Sequence, residues 1–130
     1  MRIDSEYYND WLFKAENDLL AANGILYYYE DPPTDTICYH SHQVAEKSLK
    51  AFLLQVEVEI PRTHDLVELL NFAIFRNENF VELKDKIETL NKYYIETKYP
   101  ISPSIVYSKE ESKLAVEYAT KILSFVKSKI

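Results

Sequence analysis

Residues 40–53 read HSHQVAEKSLKAFL, and this stretch decides the fold because its apolar residues recur at helical spacing. Ala45, Leu49 and Phe52 fall on one face of a helix, and neither glycine nor proline interrupts the pattern. Four polar residues cluster within about 100° of one another, well away from that face: Gln43, Glu46, Lys47 and Lys50. The stretch predicts an amphipathic helix with a concentrated polar side.

The same pattern predicts four more helices around this one. Pro32 and Pro33 separate a first helix over residues 5–29 from the second, over residues 35–58. A third helix is expected to begin at Asp65 as its cap, a fourth to run from about residue 79 to the residues before Pro100, and a fifth to begin after the cap Ser108. Five helices, short connections and no strand pattern predict one all-α domain over residues 1–130.

Helical spacing also assigns the buried faces. The fourth helix is expected to bury Phe80, Leu83, Ile87, Leu90 and Tyr94. The last is expected to bury Leu114, Ala115, Tyr118, Ala119, Ile122 and Val126.

The first helix carries two apolar stripes. One stripe belongs in the core: Tyr8, Trp11, Leu12, Ala15, Leu19, Ala22 and Leu26. Roughly opposite it, Phe13, Leu20 and Tyr27 recur every seven residues. This second stripe either forms a dimer interface or packs under another helix of the same bundle.

Composition excludes several classes of protein. A single glycine, Gly24, excludes the glycine-rich phosphate loops of P-loop and Rossmann folds. The net charge of −6 weighs against nonspecific binding to DNA or RNA.

The single cysteine, Cys38, cannot form a disulfide within the chain. The start of the chain resembles no signal peptide, and no apolar run is long enough to span a membrane, so a cytoplasmic protein is expected.

The polar side of the second helix has two interpretations. It is either a solvated face with an i, i+4 pair between Glu46 and Lys50, or a polar cleft in which lysines meet an anion. Cys38 and His42 are four residues apart, but two ligands do not make a metal site, and His40 points elsewhere on a helix. No metal or cofactor is expected.

His64 directly precedes the predicted cap Asp65 at a helix N-terminus, where exposed amides favour anions. With Arg62 two residues earlier, it could help to hold a phosphate, or it could simply buttress the loop. No spacing of serine or cysteine with histidine indicates a nucleophilic enzyme.

Four segments together resemble the HEPN domains (higher eukaryotes and prokaryotes nucleotide-binding). They are KAENDLLAA after Trp11, HQVAEKSLKAFL at 42–53, THDLVELL at 63–70 and YYIETKYP at 93–100. Their order and spacing match across nearly the whole chain. The resemblance implies an up-and-down bundle of four long helices plus one short helix, commonly assembled as a homodimer. It also implies a minimal nucleotidyltransferase as partner, since many relatives are encoded beside one or fused to one.

Other branches of that family are metal-independent ribonucleases and toxins, which carry an arginine followed four to six residues later by a histidine. The only arginines here are Arg2, Arg62 and Arg76, and none precedes a histidine at that spacing. Relatives often have arginine where this chain has Lys98, which keeps the charge but loses the bidentate fork. The resemblance therefore favours binding over cleavage.

The leading hypothesis is a non-catalytic module that binds a nucleotide or similar anion, has no membrane partner and works beside a nucleotidyltransferase in a toxin–antitoxin-like pair. The expected ligand-binding residues are Gln43, Glu46, Lys47, Lys50, His64, Asp65, Tyr94, Lys98 and Tyr99. The lysines would meet phosphate, and a tyrosine would stack on a base. The alternatives are a ribonuclease that uses Lys98 and His64, with RNA as a less favoured ligand, and a purely structural dimeric partner.

Overall fold

The structure is a computed structural model that describes residues 4–98 and 106–130, with side chains throughout except at residues 96–98. Six α-helices follow one another along these ranges: α1 Tyr8–Tyr28, α2 Thr34–Gln55, α3 Leu66–Arg76, α4 Lys84–Asn91, α5 Tyr93–Lys98 and α6 Lys109–Lys129. A 3₁₀ helix, Glu78–Leu83, precedes α4, and the described ranges contain no strand. The predicted all-α bundle of four long helices and one short helix is confirmed. The long helices are α1, α2, the interrupted segment 78–98 and α6, and the short helix is α3.

Helix α2 is the centre of the bundle. It packs against α1, α3, α4, α5 and α6, and 14 of its 22 residues are buried. The ring of Phe52 on this helix lies 4.2 Å from the ring of Phe80, which in turn contacts Phe125 of α6 edge-on. Because neighbours surround α2 on several sides, its polar face is enclosed as well as its apolar one.

The predicted helix caps of α3 and α6 are present. The Asp65 carboxylate accepts hydrogen bonds from the amides of Val67 and Glu68, and Ser108 Oγ accepts one from the amide of Glu111. Asn91 supports the first of these, because its side chain donates to Asp65 and accepts from the Leu66 amide at 2.7 Å. The Asp65 side chain therefore serves as the N-cap of α3.

The predicted fourth helix is divided rather than continuous. The segment begins as a 3₁₀ helix and is interrupted again at Lys92, between α4 and α5. Directly after this interruption, Tyr93 is buried and Tyr94 is only half-buried. The expectation that Tyr94 belongs to the core stripe was wrong; Phe80, Leu83, Ile87 and Leu90 are buried as expected.

Helix α6 buries a slightly different face from the one predicted. Leu114 is 39% exposed, whereas Val116 and Leu123 are buried. Val116 joins Ala22, Leu26 and Ile37 in a small second cluster, because α6 packs against α1 as well as α2. The inward position of Leu114 was therefore a wrong prediction.

Helix α1 buries its predicted core stripe only in part. Ala15, Ala22 and Leu26 are buried, and the other four members are half-buried: Tyr8, Trp11, Leu12 and Leu19. On the opposite face, Phe13, Leu20 and Tyr27 remain exposed. The alternative in which this second stripe packs under another helix of the same bundle is excluded within the described residues. Among the helices of the described ranges, none combines the length and apolarity needed to cross a membrane.

Cys38 should be unreactive in the folded protein. Its side chain is fully buried, and burial, together with the Glu111 carboxylate, raises the pKa of the thiol to about 12, so little thiolate forms. A thiol reagent such as DTNB should react fully in guanidinium, but in native buffer only as fast as the protein unfolds. Rapid native labelling would contradict this packing.

Candidate functional site

Glu46 is the centre of a buried polar cluster. Its side chain is 5% exposed, and Lys50, one helical turn later on α2, donates from Nζ to Oε2 at 3.0 Å. The loop between α2 and α3 brings His64 to the other carboxylate oxygen, with Nδ1 at 2.9 Å from Oε1. Both oxygens of Glu46 are therefore engaged by groups of the same chain.

His42 lies beside this carboxylate and is fully buried. Its Nε2–H donates to the backbone carbonyl of His64 at 3.1 Å, which fixes the tautomer because a carbonyl can only accept. Nδ1 then carries a lone pair, lies 3.9 Å from Glu46 Oε1 and has no hydrogen-bond partner among the described residues. Burial lowers the pKa of His42 to about 4, although Glu46 and the His64 carbonyl act in the opposite direction. The ring is neutral at pH 7.

His64 forms the exposed edge of the cluster. Its side chain is 52% exposed, and its ring stacks on Tyr94 of α5 with centroids 4.2 Å apart and planes 13° from parallel. Since Glu46 occupies Nδ1, Nε2 is the ring nitrogen left for a ligand. This stacking joins residues 30 positions apart, so sequence spacing did not reveal it.

A second polar cluster lies beside the first. Asp18 of α1 accepts a hydrogen bond from Lys47 Nζ at 2.5 Å and contacts His40 Nδ1 at 2.9 Å. Burial raises the pKa of Asp18, but hydrogen bonds with His40 and Lys47 outweigh it and hold the pKa below its usual value. Asp18 was missed in the sequence because it lies 29 residues from Lys47, and no spacing on either helix relates them.

These pairings change the electrostatics of the expected anion site. Lys47 and Lys50 each contact a carboxylate, so the two positive charges are already compensated. Lys50 is also 6% exposed and lies over the ring of Trp11 at 5.7 Å. A phosphate approaching this face would compete with Asp18 and Glu46 for both lysines.

The structure brings some of the predicted binding residues together and separates others. Glu46, Lys50, His64 and Tyr94 form one cluster, Gln43 is buried on the same helix, and Lys47 belongs to the Asp18 cluster. Asp65 caps α3 instead of facing the cluster. The side chain of Lys98 and all of Tyr99 lie outside the described residues.

Residues 4–98 and 106–130 contain no group of three or more histidine, cysteine, aspartate or glutamate side chains placed to hold a metal ion.

A cleft lies apart from the candidate site. It has a volume of about 460 Å³ and lies between the start of α2 and the start of α6, lined in part by Pro32, Asp35, Tyr107 and Lys109. The cleft touches neither Glu46 nor His64.

Comparisons with known proteins point to one family. The model of the HEPN domain matches residues 8–129. A protein named "Putative toxin MJ1304", from Methanocaldococcus jannaschii, is 27% identical over 94% of this chain and 87% of its own length. The crystal structure of TT1696 from Thermus thermophilus superposes with a TM-score of 0.80 at 30% identity, covering 95% of this chain and 98% of that one. An archaeal HEPN homologue, ST0689, gives a TM-score of 0.72 at 25% identity, covering 95% and 97%.

Proposed function

The chain belongs to the HEPN domain family, and on that premise we propose that it is a non-catalytic member that binds a nucleotide and works as a homodimer beside a minimal nucleotidyltransferase, in a toxin–antitoxin-like pair. The observation that carries the non-catalytic part of this proposal is that no arginine precedes a histidine by four to six residues in the sequence. The toxin-like name of one relative supports the paired role.

The geometry of the candidate site favours binding over cleavage. A site that cleaves a phosphodiester needs a cation able to stabilise charge that develops on phosphate. Lys50, however, is buried against Glu46, and Lys47 is paired with Asp18. In the described part of the site, both lysines that a phosphate would meet are already paired with carboxylates. Neither is therefore a preorganised cation for the charge that develops on phosphate during cleavage.

The exposed ring of His64 is the best surface for a nucleotide base. It rests on Tyr94, so its position is fixed before a ligand arrives, and stacking of a base on an aromatic ring contributes about 1–3 kcal/mol. In this proposal Lys98 and Lys47 meet the phosphates, and the base lies on the outer face of His64. The compensated charge of Lys47 makes the interaction weak.

Calorimetric titration with ATP tests the binding part of the proposal. We expect measurable heat at millimolar ligand, and loss of most of that heat in His64→Ala, because the stacking surface is removed. Lys121→Gln is the control, since Lys121 is about as exposed as His64 but lies on α6, far along the chain from the site. No heat with the wild-type protein would contradict nucleotide binding.

Purification of the protein from its native cell, followed by identification of the proteins that remain bound, tests the partner. We expect a small nucleotidyltransferase in the complex. Recovery of the homodimer alone, from cells that express such an enzyme, would contradict the paired role.

A second candidate function, a metal-independent ribonuclease, has one specific observation in its favour. The Glu46 carboxylate accepts a hydrogen bond from the Nδ1–H of His64 at 2.9 Å, which leaves Nε2 of this half-exposed side chain as a proton acceptor. Such a histidine could take a proton from an attacking ribose hydroxyl. The candidate lacks a described cation free to stabilise the phosphate, which is why we place it second.

A further inference from the structure

Asp18 lies where an anionic ligand of α2 would lie. One of its carboxylate oxygens, Oδ2, accepts a hydrogen bond from Lys47 Nζ at 2.5 Å, and the other, Oδ1, lies 2.9 Å from His40 Nδ1. Because an ionised carboxylate only accepts hydrogen bonds, His40 carries a proton on Nδ1 and donates it to this contact. An ammonium group and an N–H donor are also suitable partners for phosphate oxygens. The Asp18 carboxylate therefore occupies two donors that a phosphate could use.

The neighbouring carboxylate, Glu46, is much harder to displace. Glu46 and Lys50 are 5% and 8% exposed, so loss of their contact would leave a buried ammonium group without a partner. Asp18 is 13% exposed, and its partners Lys47 and His40 are 25% and 31% exposed. Lys47 keeps contact with water when it loses Asp18, so this exchange costs less. Of the two carboxylates, Asp18 is the one that a ligand can replace.

We propose that Lys47 and His40 form a phosphate subsite of the nucleotide site, and that Asp18 competes for this subsite and restricts it to ligands with a polyphosphate chain. The inference rests on the nucleotide binding of the proposed function and adds the class of ligand. His40 is not among the binding residues that the sequence predicts. It enters the site because α1 brings Asp18 to it and to Lys47 together.

The preference for a polyphosphate follows from the competition with Asp18. The carboxylate belongs to the same chain, so it meets Lys47 and His40 without the loss of translational and rotational freedom that a free ligand suffers. A ligand displaces it only with more negative charge and more acceptor oxygens than one carboxylate has. A phosphomonoester carries a charge of about −1.5 to −2 and three acceptor oxygens. A triphosphate adds to both, whereas a nucleoside offers these donors no phosphate.

Replacement of Asp18 tests the inference by calorimetric titration with ATP and with inorganic tripolyphosphate at pH 7. Asp18→Asn keeps the shape of the side chain but removes the competing charge. We expect it to tighten the binding of both probes by about tenfold, which corresponds to about 1.4 kcal/mol. Glu16→Gln is the matched control, because it removes one negative charge from the same helix and Glu16 pairs with Lys127 of α6. The control should change either affinity by less than about twofold.

Two further substitutions test whether the gain belongs to the subsite. In the Asp18→Asn background, Lys47→Met and His40→Ala should each reverse most of the gain for both probes, because each removes one donor. A general structural effect of Asp18→Asn would not depend on these two side chains. Lys47→Met in the otherwise wild-type chain should weaken ATP binding by about threefold or more. If Asp18→Asn does not fold, unchanged ATP affinity in this single variant would overturn the inference.

The outcomes separate this inference from the proposal on which it rests. ATP binding by the wild type that Asp18→Asn leaves unchanged would overturn the subsite and leave nucleotide binding in place. Equal gains in Asp18→Asn and Glu16→Gln would assign the effect to net charge and would also overturn the subsite. Binding of tripolyphosphate by Asp18→Asn, without any heat from ATP in the wild type, would support the subsite but contradict nucleotide binding by the native protein. No binding of either probe by either protein would overturn both.

Discussion

Glu46→Ala is expected to lower the free energy of unfolding by about 3–5 kcal/mol. The substitution would leave the ammonium group of Lys50, which is 6% exposed, without its carboxylate partner in the interior. His64 would lose its Nδ1 partner as well. Urea denaturation of the wild type and the variant at pH 7 measures the difference.

The chain offers a matched control for this prediction. Glu117 and Lys121 on α6 form the same i, i+4 pair at 2.9 Å, but both side chains are more than half exposed. Glu117→Ala should therefore change the free energy of unfolding by less than about 1 kcal/mol. Replacing both Glu46 and Lys50 with Leu and Met should recover much of the loss, because no buried charge then remains unpaired. A cost for Glu46→Ala no greater than that for Glu117→Ala would contradict the buried cluster.

Stability should fall by about 3 kcal/mol as the pH drops from about 6.5 to about 4, owing to His42. Its pKa is about 4 in the folded protein and near 6.5 in the unfolded chain, so in this window the unfolded chain binds a proton that the folded protein does not. The stability that the neutral His42 ring contributes is therefore fully present above pH 6.5 and is lost as the pH falls towards 4. Urea denaturation at fixed protein concentration across this range measures it.

His42→Gln isolates this contribution. The glutamine amide does not titrate, so the variant should be less stable at pH 7 but should show a flatter dependence on pH between 6.5 and 4. The ionisable groups that face His42 are Glu46, His64 and Lys50, and all three are unchanged in the variant. The same slope in both proteins would show that another group carries the pH dependence.

Local sequence signals predicted most of the fold. Asp65 and Ser108 mark the starts of α3 and α6, and Pro32 and Pro33 mark the break before α2. The break at Lys92 was not predicted, because neither a glycine nor a proline interrupts the segment there. Tyr93 is buried and Tyr94 is half-buried, so helical spacing placed the wrong tyrosine in the core.

The candidate site was less predictable because its contacts join distant parts of the chain. The Glu46–Lys50 pair follows from i, i+4 spacing, but spacing gave no sign that α1 and α5 would enclose it. The contact of Glu46 with His64 spans 18 residues, and that of Lys47 with Asp18 spans 29. Helical periodicity describes one helix at a time, whereas burial of a polar face depends on which other helices cover it.

We expect this HEPN protein to bind a nucleotide but not to cleave RNA, and this would set it apart from the ribonucleases of its family. Incubation of the purified protein with structured RNA, in parallel with His64→Ala, tests it most directly. We expect the wild type and the variant to leave the RNA equally intact over hours, because no arginine precedes a histidine by four to six residues and Lys50 is engaged by Glu46. Cleavage by the wild type that His64→Ala abolishes would contradict this expectation and would favour the ribonuclease in which His64 takes part.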